Sequence, residues 1–241
     1  MANLTQPLLK ILVELFYPSN CVGCGFAQTP GVFICDQCMA STPRITPPFC
    51  HSCSRSFEGA ITGQFCCPNC EDRELAFDCV VSVYQAKGVL RDLIHRFKYG
   101  RHFFLRQVLT EYLLEAMQDS RLQVVPIDCL VPVPLHPTRL RERGFNQAEA
   151  LAEALSKRAR VPVLRCIERR VYTNTQTRFD RVERMQNLRN AFALRKNSDV
   201  REKHLVLLDD VLTTGSTLHE CAAVLRAAGA GSVRAMTVAR G

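Results

Sequence analysis

The chain has 241 residues, 47% of them apolar, with a formal charge of +8. That length suits one large domain or one ordinary domain with a small companion, and the apolar fraction is enough for a sizeable core. Thirteen cysteines without a cleavable signal argue against a secreted disulfide framework and for an intracellular metal-binding chain.

Leu8, Leu9, Leu12, Leu15 and Phe16 share a helical stripe, which predicts an amphipathic helix over residues 1–18. Lys10 and Glu14 interrupt it and Pro18 ends it, so it is too short to span a bilayer, and no small-residue cleavage site follows. It is expected to pack on its own protein, with a membrane-surface or partner-binding helix as the alternative. No integral membrane segment is expected. The protein is placed in the cytoplasm, or peripherally at the inner membrane face if that helix meets lipid.

Nine cysteines fall between Cys21 and Cys70, eight of them as Cys21/Cys24, Cys35/Cys38, Cys50/Cys53 and Cys67/Cys70. Two residues between cysteines let one tight turn aim both sulfurs at a single ion, and two such knuckles complete a tetrahedral S4 site. Four knuckles predict two structural Zn2+ sites in a small zinc-ribbon module over residues 19–75. Disulfides or a redox pair do not explain four repeats. Sequential pairing is the default reading and interleaved pairing the alternative; Cys66 could replace Cys67, although only Cys67 gives the two-residue spacing. Eight thiolates and two Zn2+ would lower the formal charge to about +4. His51 is expected near a knuckle without being a ligand.

From residue 76 to 241 the pattern alternates between strand and helix. Ala76–Tyr84, Cys129–Val133, Val163–Ile167, Leu205–Leu208 and Val233–Val238 read as strands. Val89–Phe97, Phe103–Met117, Gln147–Ala159 and Leu218–Ala228 read as helices. The fold class is α/β, with a largely parallel sheet covered on both faces and ligands expected at the carboxyl ends of its strands.

Three stretches carry candidate chemistry. Val131 to Gln147 is read as strand, loop and helix, the loop carrying Arg139, Arg141 and Arg143, whose guanidinium groups suit pyrophosphate oxygens. Arg169 to Phe192 is polar, basic and poorly periodic, as expected of a loop closing over an anion; Thr175, Gln176, Arg181, Arg184 and Asn187 are its residues of interest. Most informative is Val206 to Leu218, where a buried strand meets Asp209 and Asp210, then Thr213, Thr214, Gly215, Ser216 and Thr217. Backbone N–H groups and hydroxyls at a helix start form an anion site, and adjacent carboxylates suit sugar hydroxyls or a Mg2+-bound sugar phosphate. An ordinary strand–turn–helix corner with a capping hydroxyl would explain neither the paired acids nor the further hydroxyls.

This last segment resembles the ribose-5-phosphate motif of the type I phosphoribosyltransferases. With the zinc knuckles, Phe97-Lys98-Tyr99-Gly100, Arg143 to Gln147, and Thr175-Gln176 through Asn187, the whole chain resembles the ComF (competence protein F) family. The resemblance implies a double zinc ribbon joined to a type I phosphoribosyltransferase domain that binds phosphoribosyl pyrophosphate with Mg2+. By the same resemblance, Asp209 and Asp210 would meet ribose hydroxyls and Thr213 to Thr217 the 5-phosphate. Arg139 to Arg143 would form the pyrophosphate loop, Lys98 would be a further phosphoribosyl-pyrophosphate contact, and residues 170–190 would form the flexible loop.

The resemblance further implies a role in natural transformation, in uptake and processing of single-stranded DNA beside a helicase-like partner, or in the use of DNA as a nutrient. Phosphoribosyl transfer to a nucleobase-like acceptor is the enzymatic alternative, although neither a base pocket nor a general base is assignable from the sequence. Phe49, Phe57, Phe65 and Tyr99 are candidates for stacking on DNA.

Overall fold

The apolar run that ends in two aspartates forms the middle of a parallel sheet. The computed structural model describes residues 20–29, 31–61, 63–100, 102–171 and 190–241. The helix expected over residues 1–18 and the loop residues Thr175, Gln176, Arg181, Arg184 and Asn187 lie outside the described residues.

Strands β1 (Val80–Val81), β2 (Cys129–Pro132), β5 (His204–Leu212) and β6 (Ser232–Arg240) form the sheet in the order β1-β6-β5-β2, and every pair is parallel. Leu205 to Leu208 and Val233 to Ala239 are buried without a break. Successive strand residues point to opposite faces, so unbroken burial means that both faces are covered. Helices α3 (Gly88–Tyr99), α4 (Leu105–Ala116), α6 (Gln147–Ala159) and α7 (Ser216–Ala227) provide that cover, α6 against β2 and β5, α4 against β6, α7 against β5 and β6. Asn146 caps α6 by accepting from the Ala148 N–H at 3.1 Å.

The structure corrects four sequence expectations. The strand expected over Ala76–Tyr84 is regular only at β1. Its outer edge is taken by the ribbon module, where the Val80 N–H donates to the Ser52 carbonyl at 2.8 Å and the Ser54 hydroxyl to the Val80 carbonyl at 2.8 Å. A covered edge cannot template foreign pairing. The strand expected over Val163–Ile167 is only a bridge from Val163 to Leu130. The chain then leaves the main sheet to form β3 (Ile167–Arg169), antiparallel to β4 (Phe192–Leu194). The loop expected to carry Arg139, Arg141 and Arg143 is a seven-residue helix, α5 (Pro137–Arg143). Pro137 opens it, His136 Nδ1 accepts the Thr138 N–H at 3.2 Å, and Gly144 closes it at φ 81°. Finally, α7 begins at Ser216, two residues before the expected Leu218, because Gly215 takes φ 77° and turns the chain directly into the helix.

The ribbon module repeats one local plan. In each half a cysteine carbonyl accepts a tight-turn N–H, Cys21 from Gly25 and Cys50 from Ser54, both at 2.8 Å. A short helix follows each later knuckle start, α1 (Asp36–Ala40) after Cys35 and α2 (Pro68–Glu71) after Cys67.

Candidate functional site

Two sets of four sulfurs converge. Cys21, Cys24, Cys35 and Cys38 form one cluster, Cys50, Cys53, Cys67 and Cys70 the other, with the sulfurs of each set within 4.8 Å of one another. Pairing is therefore sequential, and Cys67 rather than Cys66 belongs to the second set; Cys66 Sγ lies instead 3.9 Å from the Ser52 hydroxyl. Cys24 to Cys35 and Cys53 to Cys67 are each 3.7 Å apart. A disulfide needs roughly 2.05 Å, whereas thiolates about 2.3 Å from a central ion form a tetrahedron with edges of roughly 3.8 Å. Backbone N–H groups also aim at the sulfurs, Cys35 N–H to Cys21 Sγ and Cys67 N–H to Cys50 Sγ, both at 3.3 Å. Against burial, which raises it, the N–H groups of Cys24, Cys35 and Gly23 bring the Cys21 thiol down to about 6. Hydrogen bonds from Cys53 and Cys70 hold the Cys50 thiol far below the ordinary thiol value. Four thiolates with N–H support fit a closed, structural Zn2+ site. His51 is exposed and belongs to neither cluster; its carbonyl accepts from Arg121 at 3.0 Å.

At the carboxyl end of β5, Asp209, Thr213, Thr214, Gly215, Ser216 and Thr217 line one small concavity. The Thr214 and Ser216 hydroxyls are 3.0 Å apart, and the first-turn N–H groups of α7 have no acceptor inside their own helix. Hydroxyls and N–H donors at the positive end of a helix form an anion site, with a carboxylate at its margin.

The two aspartates differ. Asp210 is 6% exposed, and its Oδ1 receives Lys98 Nζ from the last turn of α3 at 2.9 Å. Asp209 faces the concavity, and its Oδ1 accepts the Asp210 N–H at 2.8 Å. Burial, reinforced by the neighbouring Asp210 charge, pushes the Asp209 carboxyl up to about 7; Lys98 and Arg143 pull the other way.

Of the arginines on α5, Arg143 donates to Gln147 Oε1 at 3.0 Å and to the Tyr99 hydroxyl at 3.4 Å, with its guanidinium 5.2 Å from the Tyr99 ring centre. Arg139 pairs with Glu142 at 3.6 Å. Arg141 is exposed, bonds to Thr138 in its own helix at 3.5 Å, and is not brought to Asp209 by any described contact. Sequence reasoning missed Arg169 on β3. Burial lowers its pKa; Cys221 and then Asp209 oppose that effect, and the charges of Arg139 and Arg143 add to it. The Arg169-Arg170 pair beside the polar stretch was the available signal. Arg170 N–H bonds to the Ala191 carbonyl at 2.8 Å, which holds the two ends of the candidate loop together.

Of the candidate stacking residues, Tyr99 is 58% and Phe57 42% exposed; Phe65 packs against Phe57 at 4.9 Å, and Arg121 lies 4.8 Å over Phe49. Among the described residues no helix is long and apolar enough to cross a membrane.

The double zinc ribbon domain family matches residues 12–75 and the phosphoribosyl transferase domain family residues 143–241. Competence protein F of Haemophilus influenzae is 31% identical over 230 residues, covering 93% of this chain and 98% of its own. DNA utilization protein YhgH of Escherichia coli K12 is 32% identical over 217 residues, covering 86% and 90%. Competence protein ComFC of Streptococcus pneumoniae is 30% identical over 205 residues, covering 79% and 87%. The solved glutamine phosphoribosylpyrophosphate amidotransferase of B. subtilis aligns with a TM-score of 0.41 at 18% identity, over 60% of this chain and 30% of that one, too remote to argue from. With two four-cysteine clusters ahead of a strand that carries Asp209 and Asp210 into the Thr213–Thr217 loop, and 31% identity to competence protein F of Haemophilus influenzae over 93% of its length, this chain belongs to the competence protein F family.

Proposed function

We propose that the chain binds phosphoribosyl pyrophosphate as its Mg2+ complex and serves in natural transformation, handling incoming single-stranded DNA in the cytoplasm beside a helicase-like partner. A ribbon unit over residues 19–75 would hold two Zn2+ ions, and the unit over 76–241 the sugar phosphate. One observation carries the ligand reading: Asp209 and the Thr213–Thr217 loop line the same concavity, with Lys98 paired to the neighbouring Asp210 and the charges of Lys98 and Arg143 felt at the Asp209 carboxyl. Thr213 to Thr217 suit the 5-phosphate, Asp209 the ribose hydroxyls or their Mg2+, and the guanidinium groups the pyrophosphate. The transformation reading draws on what the relatives are called, competence and DNA utilization proteins. Mg2+, when bound, would neutralise charge on the pyrophosphate oxygens.

Calorimetry on the full chain with phosphoribosyl pyrophosphate and Mg2+ tests the ligand. Binding in the micromolar class is expected, abolished when Asp209→Asn is combined with Asp210→Asn; no heat from the wild-type chain removes the reading. Fluorescence anisotropy with a single-stranded oligonucleotide tests direct DNA contact, and binding that weakens steeply with salt is expected. A second reading, phosphoribosyl transfer to a nucleobase-like acceptor, is favoured by the match of residues 143–241 to the phosphoribosyl transferase domain family. Release of pyrophosphate on adding free bases would support it.

A further inference from the structure

The phosphate loop is held from behind by guanidinium groups. Arg240 donates to the Thr213 carbonyl at 2.8 Å and to the Leu212 carbonyl at 3.2 Å. Arg73 donates to the Thr214 carbonyl at 3.3 Å. Within a planar trans peptide the C=O and the following N–H point in opposite directions. Holding the Thr213 carbonyl therefore turns the Thr214 N–H away from Arg240, and holding the Thr214 carbonyl turns the Gly215 N–H away from Arg73. Two consecutive peptide planes are fixed in this way, and their donors belong to the residues that line the concavity.

Arg73 reaches the loop from the second four-cysteine site. Its N–H bonds to the carbonyl of the ligand Cys70 at 3.3 Å. Cys53, Cys70 and Arg73 enclose, with Thr213 to Gly215, only a narrow void. The chain beyond Arg73 stays on the same path. Ala76 N–H donates to His219 Nδ1 on α7 at 3.2 Å, Arg226 of α7 bonds to the Ala76 carbonyl at 3.4 Å and pairs with Asp78, and the Phe77 ring lies beneath Gly215. Residues 73–78 thus form a strut from a zinc-type site to the loop and to the helix that opens from it.

We propose that Arg73 is a positioning residue for the phosphate loop, and that through it the second four-cysteine site sets the loop's affinity for a sugar phosphate. The affinity arm rests on the ribose-phosphate reading given above; the loop-geometry arm does not. Removing the guanidinium frees the Thr214–Gly215 plane to rotate, while the residues facing the ligand keep their identity. A bound sugar phosphate must then order the plane itself, so affinity falls.

The test uses the full metal-loaded chain, with Arg73→Met, which keeps an apolar stem but no donor, and Arg73→Lys, which keeps one. Zinc content and melting temperature establish folding. Binding of ribose 5-phosphate and amide exchange at Gly215 are the readouts, with the Thr214 amide, whose plane Arg240 still holds, as the control. Expected for Arg73→Met are two retained metal ions, binding weakened at least tenfold and faster exchange at Gly215 with Thr214 unchanged, and partial recovery of affinity and of Gly215 exchange in Arg73→Lys. Exchange unchanged from wild type in both variants overturns the proposal, as does ribose 5-phosphate affinity within twofold of wild type in Arg73→Met. A wild-type chain that ignores ribose 5-phosphate, while Arg73→Met still accelerates exchange, overturns the ligand reading and leaves the positioning role supported. If Arg73→Met does not fold, Arg73→Lys carries the same comparison, with at least a threefold loss of affinity expected and wild-type behaviour in both readouts overturning the proposal.

Discussion

The two four-cysteine sites are built alike and embedded differently. Each has a cysteine N–H aimed at a sulfur at 3.3 Å and a short helix after its second knuckle start. In the first site Cys24 is exposed; the chain after it meets the rest of the protein through side chains, Thr42 with Tyr112 at 3.2 Å, Arg44 with Tyr84 at 2.8 Å and with Glu115, and Phe33 on Phe104 at 4.7 Å, and through a backbone bridge in which the Ile45 N–H donates to the Val83 carbonyl at 2.7 Å and the Gln85 N–H to the Pro43 carbonyl at 2.9 Å. In the second site all four cysteines are buried, and backbone groups are shared with the sheet through Ser52, Ser54 and Val80. The turn residue records the difference. The first site uses Gly25 at φ 80°, where nothing lies within 4 Å of the place a Cβ would take; the second uses Ser54 at φ 56°, whose hydroxyl bridges the Val80 carbonyl and the Ser82 N–H at 3.1 Å. The first knuckle leaves a ligand open to solvent with the backbone bridge several residues beyond it, whereas the second is itself part of the sheet's edge.

The largest effect that could break this comparison is loss of a ligand. Cys70→Ser should remove one metal and expose β1 and the phosphate loop together, at a cost of several kcal/mol and on the order of 10 for a whole structural site. Cys24→Ser should release its metal while leaving most of the melting transition in place. Metal stoichiometry with calorimetric melting distinguishes them, and equal destabilisation by the two would erase the distinction. Next in size is the turn residue. Ser54→Ala leaves two buried backbone groups without their partner, worth about 1–3 kcal/mol, and keeps a side chain at positive φ. Gly25→Ala meets open space and costs only the left-handed conformation, about 1 kcal/mol. Chemical denaturation of the two variants gives the ratio.

Features legible in the sequence were those whose partners lie close along the chain. The Cys-x-x-Cys turns and the Asp209–Thr217 corner are local, so residue type and spacing expose them. The β3–β4 pair was hidden because Arg169 meets Phe192 across a long polar connection, and neither three-residue strand carries a period. Lys98 was read only as a phosphoribosyl-pyrophosphate contact; its pairing at 2.9 Å with Asp210, far along the chain, was not legible. Arg73 and Arg240 carry no motif; only folding brings them behind the loop. The helix α5 was legible in Pro137 and Gly144, but the three arginines between them dominated the reading.

A smaller effect separates the concavity from its surroundings. The Asp209 carboxyl stands at about 7 in the free protein, above the ordinary 3.8. The folded chain therefore holds a proton there between about pH 4 and pH 7 that the unfolded chain has lost, so this group's contribution to stability declines as pH rises through that window. Ligand binding runs the other way. Sugar hydroxyls and Mg2+ favour the carboxylate, so affinity for phosphoribosyl pyrophosphate with Mg2+ should rise about fivefold from pH 6 to pH 7, reach about tenfold by pH 8 and level off above it. Asp209→Asn should flatten that dependence in a calorimetric pH series, while Arg73→Met should lower the whole curve and keep its shape.

The smallest effect tests the first site's attachment. The Thr42 hydroxyl is buried between the Tyr112 hydroxyl and the Cys38 carbonyl, at 3.2 and 3.4 Å. Thr42→Val keeps the shape and removes the hydroxyl, leaving Tyr112 without this partner at a cost of about 1 kcal/mol. Because the bond joins a residue after Cys38 to α4, its loss should loosen the first ribbon against the helix and hasten chelator-driven release of the first metal. The second metal and the ribose-phosphate affinity should stay at wild-type values, since the strut to the phosphate loop starts from Cys70. A Thr42→Val chain that lost sugar-phosphate affinity as readily as Arg73→Met would show that the two ribbons act on the pocket as one unit.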